Sequence, residues 1–181
     1  MEIHVDRRKL TVVHLKNESE TLMVSLNLAA EQFFTGDVVR ATGIDNATLQ
    51  SWQSRGSIPR SRQGIGSGNR RMYSGSVIIM VAITRYLVEG IGMVPSVASK
   101  AVWEFCSTTI DGGVMHEEPW ACRPRESDVV SLWFRGGKCY HAFRWPDSDD
   151  GEMMYVAVRV GALAGKVIAV LDQILAERTG A

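Results

Sequence analysis

The sequence predicts an α+β protein: an N-terminal β-hairpin, a helix-turn-helix, then a small antiparallel β-sheet with a C-terminal helix. Three observations predict it. Residues 35–55 carry two short helical patterns separated by Gly43-Ile44, the arrangement of a helix-turn-helix. Residues 129–144 hold two alternating runs around Gly136-Gly137, a two-residue hairpin signal. Residues 161–178 place Leu163, Val167, Val170, Leu171 and Ile174 at helical spacing.

From the start of the chain, Lys9–Lys16 and Thr21–Leu28 both alternate, with Asn17-Glu18-Ser19-Glu20 between them, which reads as a β-hairpin. The second run also satisfies a helical period through Leu22, Leu26, Ala29, Ala30 and Phe33. Residues 1–33 form an N-terminal extension on either reading, and His4 and His14 are strand residues rather than ligands.

The first helix of the pair is Gly36–Thr42, with Thr35 as N-cap and Val38, Val39 and Ala41 as its apolar contacts. Gly43 supplies the positive φ that the turn requires. Asp45 or Asn46 caps a second helix reaching about Arg55, and Leu49 and Trp52 turn its inner face onto the first. Asn46, Thr48, Gln50, Ser51, Gln53 and Ser54 are assigned to its outer face, where short hydrogen-bonding side chains can read base edges. Gly56 closes the helix and Pro59 forbids its continuation.

Twenty Lys and Arg balance twenty Asp and Glu over the whole chain, which hides a local imbalance. Between Gln50 and Tyr73 stand five arginines (Arg55, Arg60, Arg62, Arg70, Arg71) and no acid. A cationic stretch beside a polar helix face suits a phosphate backbone.

In order, TGDVVRATGI, TLQSWQSRGSIP and GNRRMYS resemble the MerR-type winged helix-turn-helix over roughly residues 34–105. The resemblance implies a MerR-like winged helix-turn-helix whose second helix, about 45–55, enters the major groove. A wing at about 60–73 would grip flanking phosphate. Carried over by position, Gln50 and Ser51 fall where the family contacts DNA, Arg71 on the wing arginine, and Tyr73 on the aromatic that packs the wing back. With the charge pattern, the predicted DNA-binding set is Asn46, Thr48, Gln50, Ser51, Arg55, Arg60, Arg62, Arg70, Arg71 and Tyr73. The chain departs from the family twice: Gln50-Ser51-Trp52 replaces the usual aromatic and basic residues, so base preferences do not carry over. Gly75-Ser76-Val77 stands where the next helix normally opens with acids.

Ser74 caps a helix to about Glu89 that is apolar on more than one side, and Gly90 and Gly92 end it. Pro95 starts another, with Val94, Val97, Ala98, Ala101, Val102 and Phe105 at helical spacing. The DNA-binding domain therefore spans 34–110. Two prolines, adjacent glycines and an excess of acids make 111–128 a linker. Residues 129–181 form the last region: strands over Val129–Arg135, Lys138–Arg144 and Met153–Val160, then a helix over Gly161–Arg178. Its stripe can cover its own sheet or pair with a second copy. The resemblance raises the second reading, because family members dimerise through a C-terminal helix. Two half-sites are also the usual source of specificity. A homodimer is expected, with the C-terminal region dimerising, sensing an effector ligand or contacting a protein.

Other chemistry is weakly signalled. Cys139 and His141, with Cys106, His116 or Cys122, match no paired zinc spacing. Asp147, Asp149, Asp150 and Glu152 lack the fixed spacing of a calcium loop. The glycines at 64–68 follow no strand and precede no Gly-Lys-Ser/Thr. No catalytic residue, metal ligand or cofactor is predicted. Three cysteines without repeating spacing, and an N-terminus without a signal-peptide core, favour a cytoplasmic location. No apolar run reaches the roughly 20 residues a membrane helix needs. The sequence is best read as that of a transcriptional regulator binding duplex DNA. The rival readings are a DNA-bending accessory factor resembling an excisionase, a protein-interaction module, and a metal-dependent enzyme.

Overall fold

The computed structural model describes residues 26–58, 62–63, 71–107, 129–135, 138–142 and 155–180. The expected N-terminal hairpin lies outside them, apart from Leu26–Leu28, which lead into a turn. Then come β1 (Glu31–Phe34), α1 (Thr35–Thr42), α2 (Asn46–Ser54), β2 (Arg62–Gln63) and β3 (Arg71–Ser74). They are followed by α3 (Gly75–Ile91), α4 (Pro95–Ser107), β4 (Val130–Arg135), β5 (Lys138–Ala142), β6 (Tyr155–Val158) and α5 (Val160–Thr179).

Helix starts follow local chemistry, with one correction. Thr35 is not the cap of α1 but its first residue. Phe34 is the N-cap, and the Asp37 carboxylate accepts the Phe34 N–H at 2.5 Å. A carboxylate in the first turn satisfies one of the unpaired amides there and opposes the positive end of the helix dipole. Ser74 caps α3 by accepting the Val77 N–H at 3.3 Å. That helix ends at Gly92, φ 80°, and runs through Gly90. It is the central element, burying Ile78, Ile79, Met80, Val81, Ile83, Thr84 and Leu87.

Among the described residues two three-stranded antiparallel sheets form, with orders β1-β3-β2 and β5-β4-β6. In the first, Phe33 lies opposite Tyr73, and Arg62 opposite Met72. In the second, the hairpin strands pair Arg135 with Lys138 and Phe134 with Cys139, while β6 pairs Leu132 with Val156. Strand β1 has no counterpart in the sequence reading, which left its residues between hairpin and helix.

The C-terminal helix corrects the reading that its stripe covers the second sheet or a second copy. It packs on α3 and α1, with Val167, Leu171 and Ile174 buried there. One apolar cluster joins Phe33, Val38, Leu49 and Trp52 to Leu171, Ile174, Val130 and Leu132. Two ion pairs tie the end of α5 to α1: Arg40 to Glu177 at 2.6 and 2.7 Å, and Arg178 to Asp37 at 2.5 Å. The paired carboxylate raises the pKa of Arg40, and the guanidinium lowers that of Glu177. Arg178 also donates to the Gln32 carbonyl at 2.8 Å and lies 5.2 Å from the Phe34 ring centroid. Gly75 explains one departure noted in the sequence: the chain at Leu28 crosses its face, and a Cβ there would meet Leu28 Cα at 3.3 Å and Leu28 Cδ2 at 2.8 Å. A side chain at that position would make the Leu28 side chain turn aside and its backbone give by a few tenths of an ångström.

Candidate nucleic-acid interface

Gly43 sets the turn between α1 and α2. Its φ is 68°, and its N–H donates to the Val39 carbonyl at 2.8 Å. The guanidinium of Arg85 lies against it and donates to the Thr42 carbonyl at 2.5 Å, so a Cβ there would have to displace the end of that side chain as well as strain the backbone. Ile44, 1% exposed, plugs the gap behind the turn.

Asp45 is the N-cap of α2. It accepts from the Thr48 N–H at 2.8 Å and from the Thr48 hydroxyl at 2.6 Å. These bonds, the hydroxyl's foremost, hold the Asp45 carboxyl below the usual carboxylate range. The sign of the pH dependence follows. A depressed folded pKa contributes stability that is complete above the unfolded value, about 3.9, and is lost as pH falls through the lower folded one. Asp45→Asn is therefore expected to flatten the acid limb of stability against pH while keeping a cap, as read by thermal melts across the acid range. At the other end Gly56 (φ 71°) closes α2 with paired bonds, Ser57 N–H to the Trp52 carbonyl and Gly56 N–H to the Gln53 carbonyl.

The predicted site residues divide into four groups. Asn46, Gln50 and Arg55 are exposed and Ser51 is half-buried on the outward arc of α2, with Gln50 Nε2 donating to Asn46 Oδ1 at 3.3 Å. Thr48 is half-buried and gives its hydroxyl proton to Asp45. Tyr73 is 2% exposed, a correction to its place among DNA-contacting residues: its ring is in the core and belongs to the base of the wing. Of the wing arginines, Arg71 is described with its side chain and Arg62 only as a backbone position in β2. Arg60 and Arg70 lie outside the described residues. So do the residues between β2 and β3.

Gln53 is the residue that sequence reasoning misplaced. Assigned to the outer face, it is 4% exposed. Its Nε2 donates to the Tyr73 hydroxyl at 2.9 Å, and its Oε1 accepts from Arg71 Nη1 at 2.7 Å. One amide thus joins α2 to two residues of β3 and holds the Arg71 guanidinium beside the helix. The signal was present: position 53 lies four after Leu49 and one after Trp52, on the buried arc. Tyr73→Phe should leave the buried Gln53 Nε2 without its acceptor. A loss of about 1–3 kcal/mol is expected from chemical denaturation, with the ring packing intact.

Several arginines elsewhere in the described fold are answered by carboxylates, while those beside α2 are not. Arg40, Arg85 and Arg178 each meet a carboxylate. Arg71 meets only the neutral Gln53 amide, and Arg55 meets no partner among the described residues. Among the described residues, cations without a carboxylate partner thus stand at the end of α2 and on β3.

A capped helix pair around a left-handed glycine, followed by strands that close a sheet against it, defines a winged helix-turn-helix. Residues 34–102 match the family model of the MerR HTH family regulatory protein, and this segment is a MerR-type helix-turn-helix domain, the kind found in DNA-binding transcription regulators. The match stops within α4 and leaves the second sheet and α5 outside it. No curated protein matches the chain. No helix among the described residues is long and apolar enough to cross a membrane.

Proposed function

We propose that the protein is a sequence-specific transcriptional regulator of duplex DNA, with α2 in the major groove and the wing on flanking backbone. The bond from Arg71 to Gln53 carries this reading, because it holds a cation that meets no carboxylate among the described residues beside the exposed amides and hydroxyls of α2. A groove reader needs this combination. Phosphate contacts fix the register, and Asn46, Gln50 and Ser51 supply donors and acceptors for base edges. By sequence, Arg60, Arg62 and Arg70 add positive charge to the same stretch, with Arg55 at the end of α2.

The reading includes a cytoplasmic homodimer, since one short helix reads few bases and two half-sites multiply specificity. The stripe of α5 is buried against α3, so the seam between copies lies on another face. No catalytic chemistry enters, and the residues assigned above are binding residues. The test is to recover genomic fragments retained by the purified full chain, then titrate the best fragment with salt. A shared, roughly palindromic sequence and an affinity falling steeply with salt support the reading. Salt-insensitive retention, or no common sequence, overturns it.

A further inference from the structure

We infer that the groove between α1, α3 and α5 binds a small amphipathic monoanion: an apolar body carrying one carboxylate or sulfonate. The groove has a volume of about 430 Å³, within the range of roughly 300–1,000 Å³ usual for small-molecule clefts. Ala41, Ala82, Leu163, Val167 and the Tyr86 ring make its lining largely apolar.

Charge selects the head group. Arg85 and Glu89 both line the groove, but Arg85 Nε donates to Glu89 Oε2 at 2.8 Å, so the pair brings no net charge. Lys166 also lines it, is exposed, and has no hydrogen-bond or ion-pair partner among the described residues. An apolar cleft with one unanswered ammonium favours an anion whose tail is hydrophobic. The tail leaves water while the head gains a charge-assisted hydrogen bond.

Shape points the same way through Gly90. This residue lies inside α3 and is absent from the positive-φ glycines, so its backbone does not require glycine. Nor does packing, since a Cβ would only touch the Tyr86 ring at 3.8 Å, an ordinary contact. A glycine inside a helix is less favourable than alanine because it has more backbone freedom to lose. What its missing side chain does is leave the Tyr86 ring, 44% exposed, uncovered along the groove.

The inference does not rest on the DNA reading, because binding is measured without DNA. The full chain is titrated with anilinonaphthalene sulfonate, followed by fluorescence, and the bound dye is then challenged with octanoate or octylammonium. Saturable binding is expected, reversed by octanoate and not by octylammonium. Lys166→Glu should weaken the dye about tenfold or more, and Lys166→Arg should stay within about twofold. Gly90→Leu, at an exposed helical position where leucine is the better helix former, should abolish binding while thermal melts show a folded protein. Unchanged dye affinity in Gly90→Leu would place the dye elsewhere and overturn the site. Equal displacement by octanoate and octylammonium would overturn its charge preference.

Discussion

Leu171→Ala is expected to lower the stability of the whole described fold by about 2–5 kcal/mol. Leu171 is fully buried at the seam where α5 meets α3 and the segment at Leu28. Its Cδ1 lies 3.6 Å from where a Cβ on Gly75 would stand. Truncating the isobutyl side chain to a methyl leaves a cavity beside Gly75, at the base of α3. Because α3 also carries the helix-turn-helix, the loss should spread to it. Urea unfolding followed by tryptophan fluorescence, to which Trp52 beside the turn contributes, and by far-ultraviolet circular dichroism should show one coincident transition at a lower midpoint. If the variant lost helical signal in a separate early step with the fluorescence transition unmoved, α5 would be an appendage and not a wall of the core.

Arg71→Ala is expected to weaken duplex binding roughly tenfold across all sequences and to reduce the slope of log affinity against log salt by about 1. The distinctive companion is Gln53→Leu. That side chain is buried, so on direct contact alone its loss should be silent. As the anchor of the Arg71 guanidinium, it should reproduce much of the Arg71→Ala loss, and the double variant should fall well short of the sum. Electrophoretic mobility shifts over a salt series separate the outcomes. Affinity untouched at low salt in Arg71→Ala would remove the wing from the DNA contact. Additive effects would break the proposed relay through Gln53.

The parts of the fold legible in the sequence are those whose causes are local. Asp45 and Ser74 declare helix starts because their own side chains accept the amides three residues on. Gly43, Gly56 and Gly92 declare ends because the chain there enters the left-handed region. Pro95 opens α4, and the runs flanking Gly136-Gly137 become β4 and β5. Illegible parts have distant causes. Glu31–Phe34 is a strand because β3, some forty residues away, offers it an edge. No spacing within four residues could announce that. The stripe of α5 showed that one face is covered, but periodicity carries no information about which partner covers it, and α3 and α1 proved to be that partner. Within the candidate site, exposure of Asn46 and Gln50 follows from helical phase. Gln53 did not, because its polarity was weighed above its angular position beside Leu49 and Trp52.

The Gln53 bridge bears on how such regulators could be rewired. A foreign reading helix transplanted into this scaffold would bring its own side chain at position 53. Unless that side chain offers both an amide donor for the tyrosine and an acceptor for the guanidinium, the graft would arrive with Arg71, the proposed phosphate contact, unmoored. New base preferences would then come with diminished affinity for every target. Helix and wing here form a single cassette, to be exchanged together or not at all.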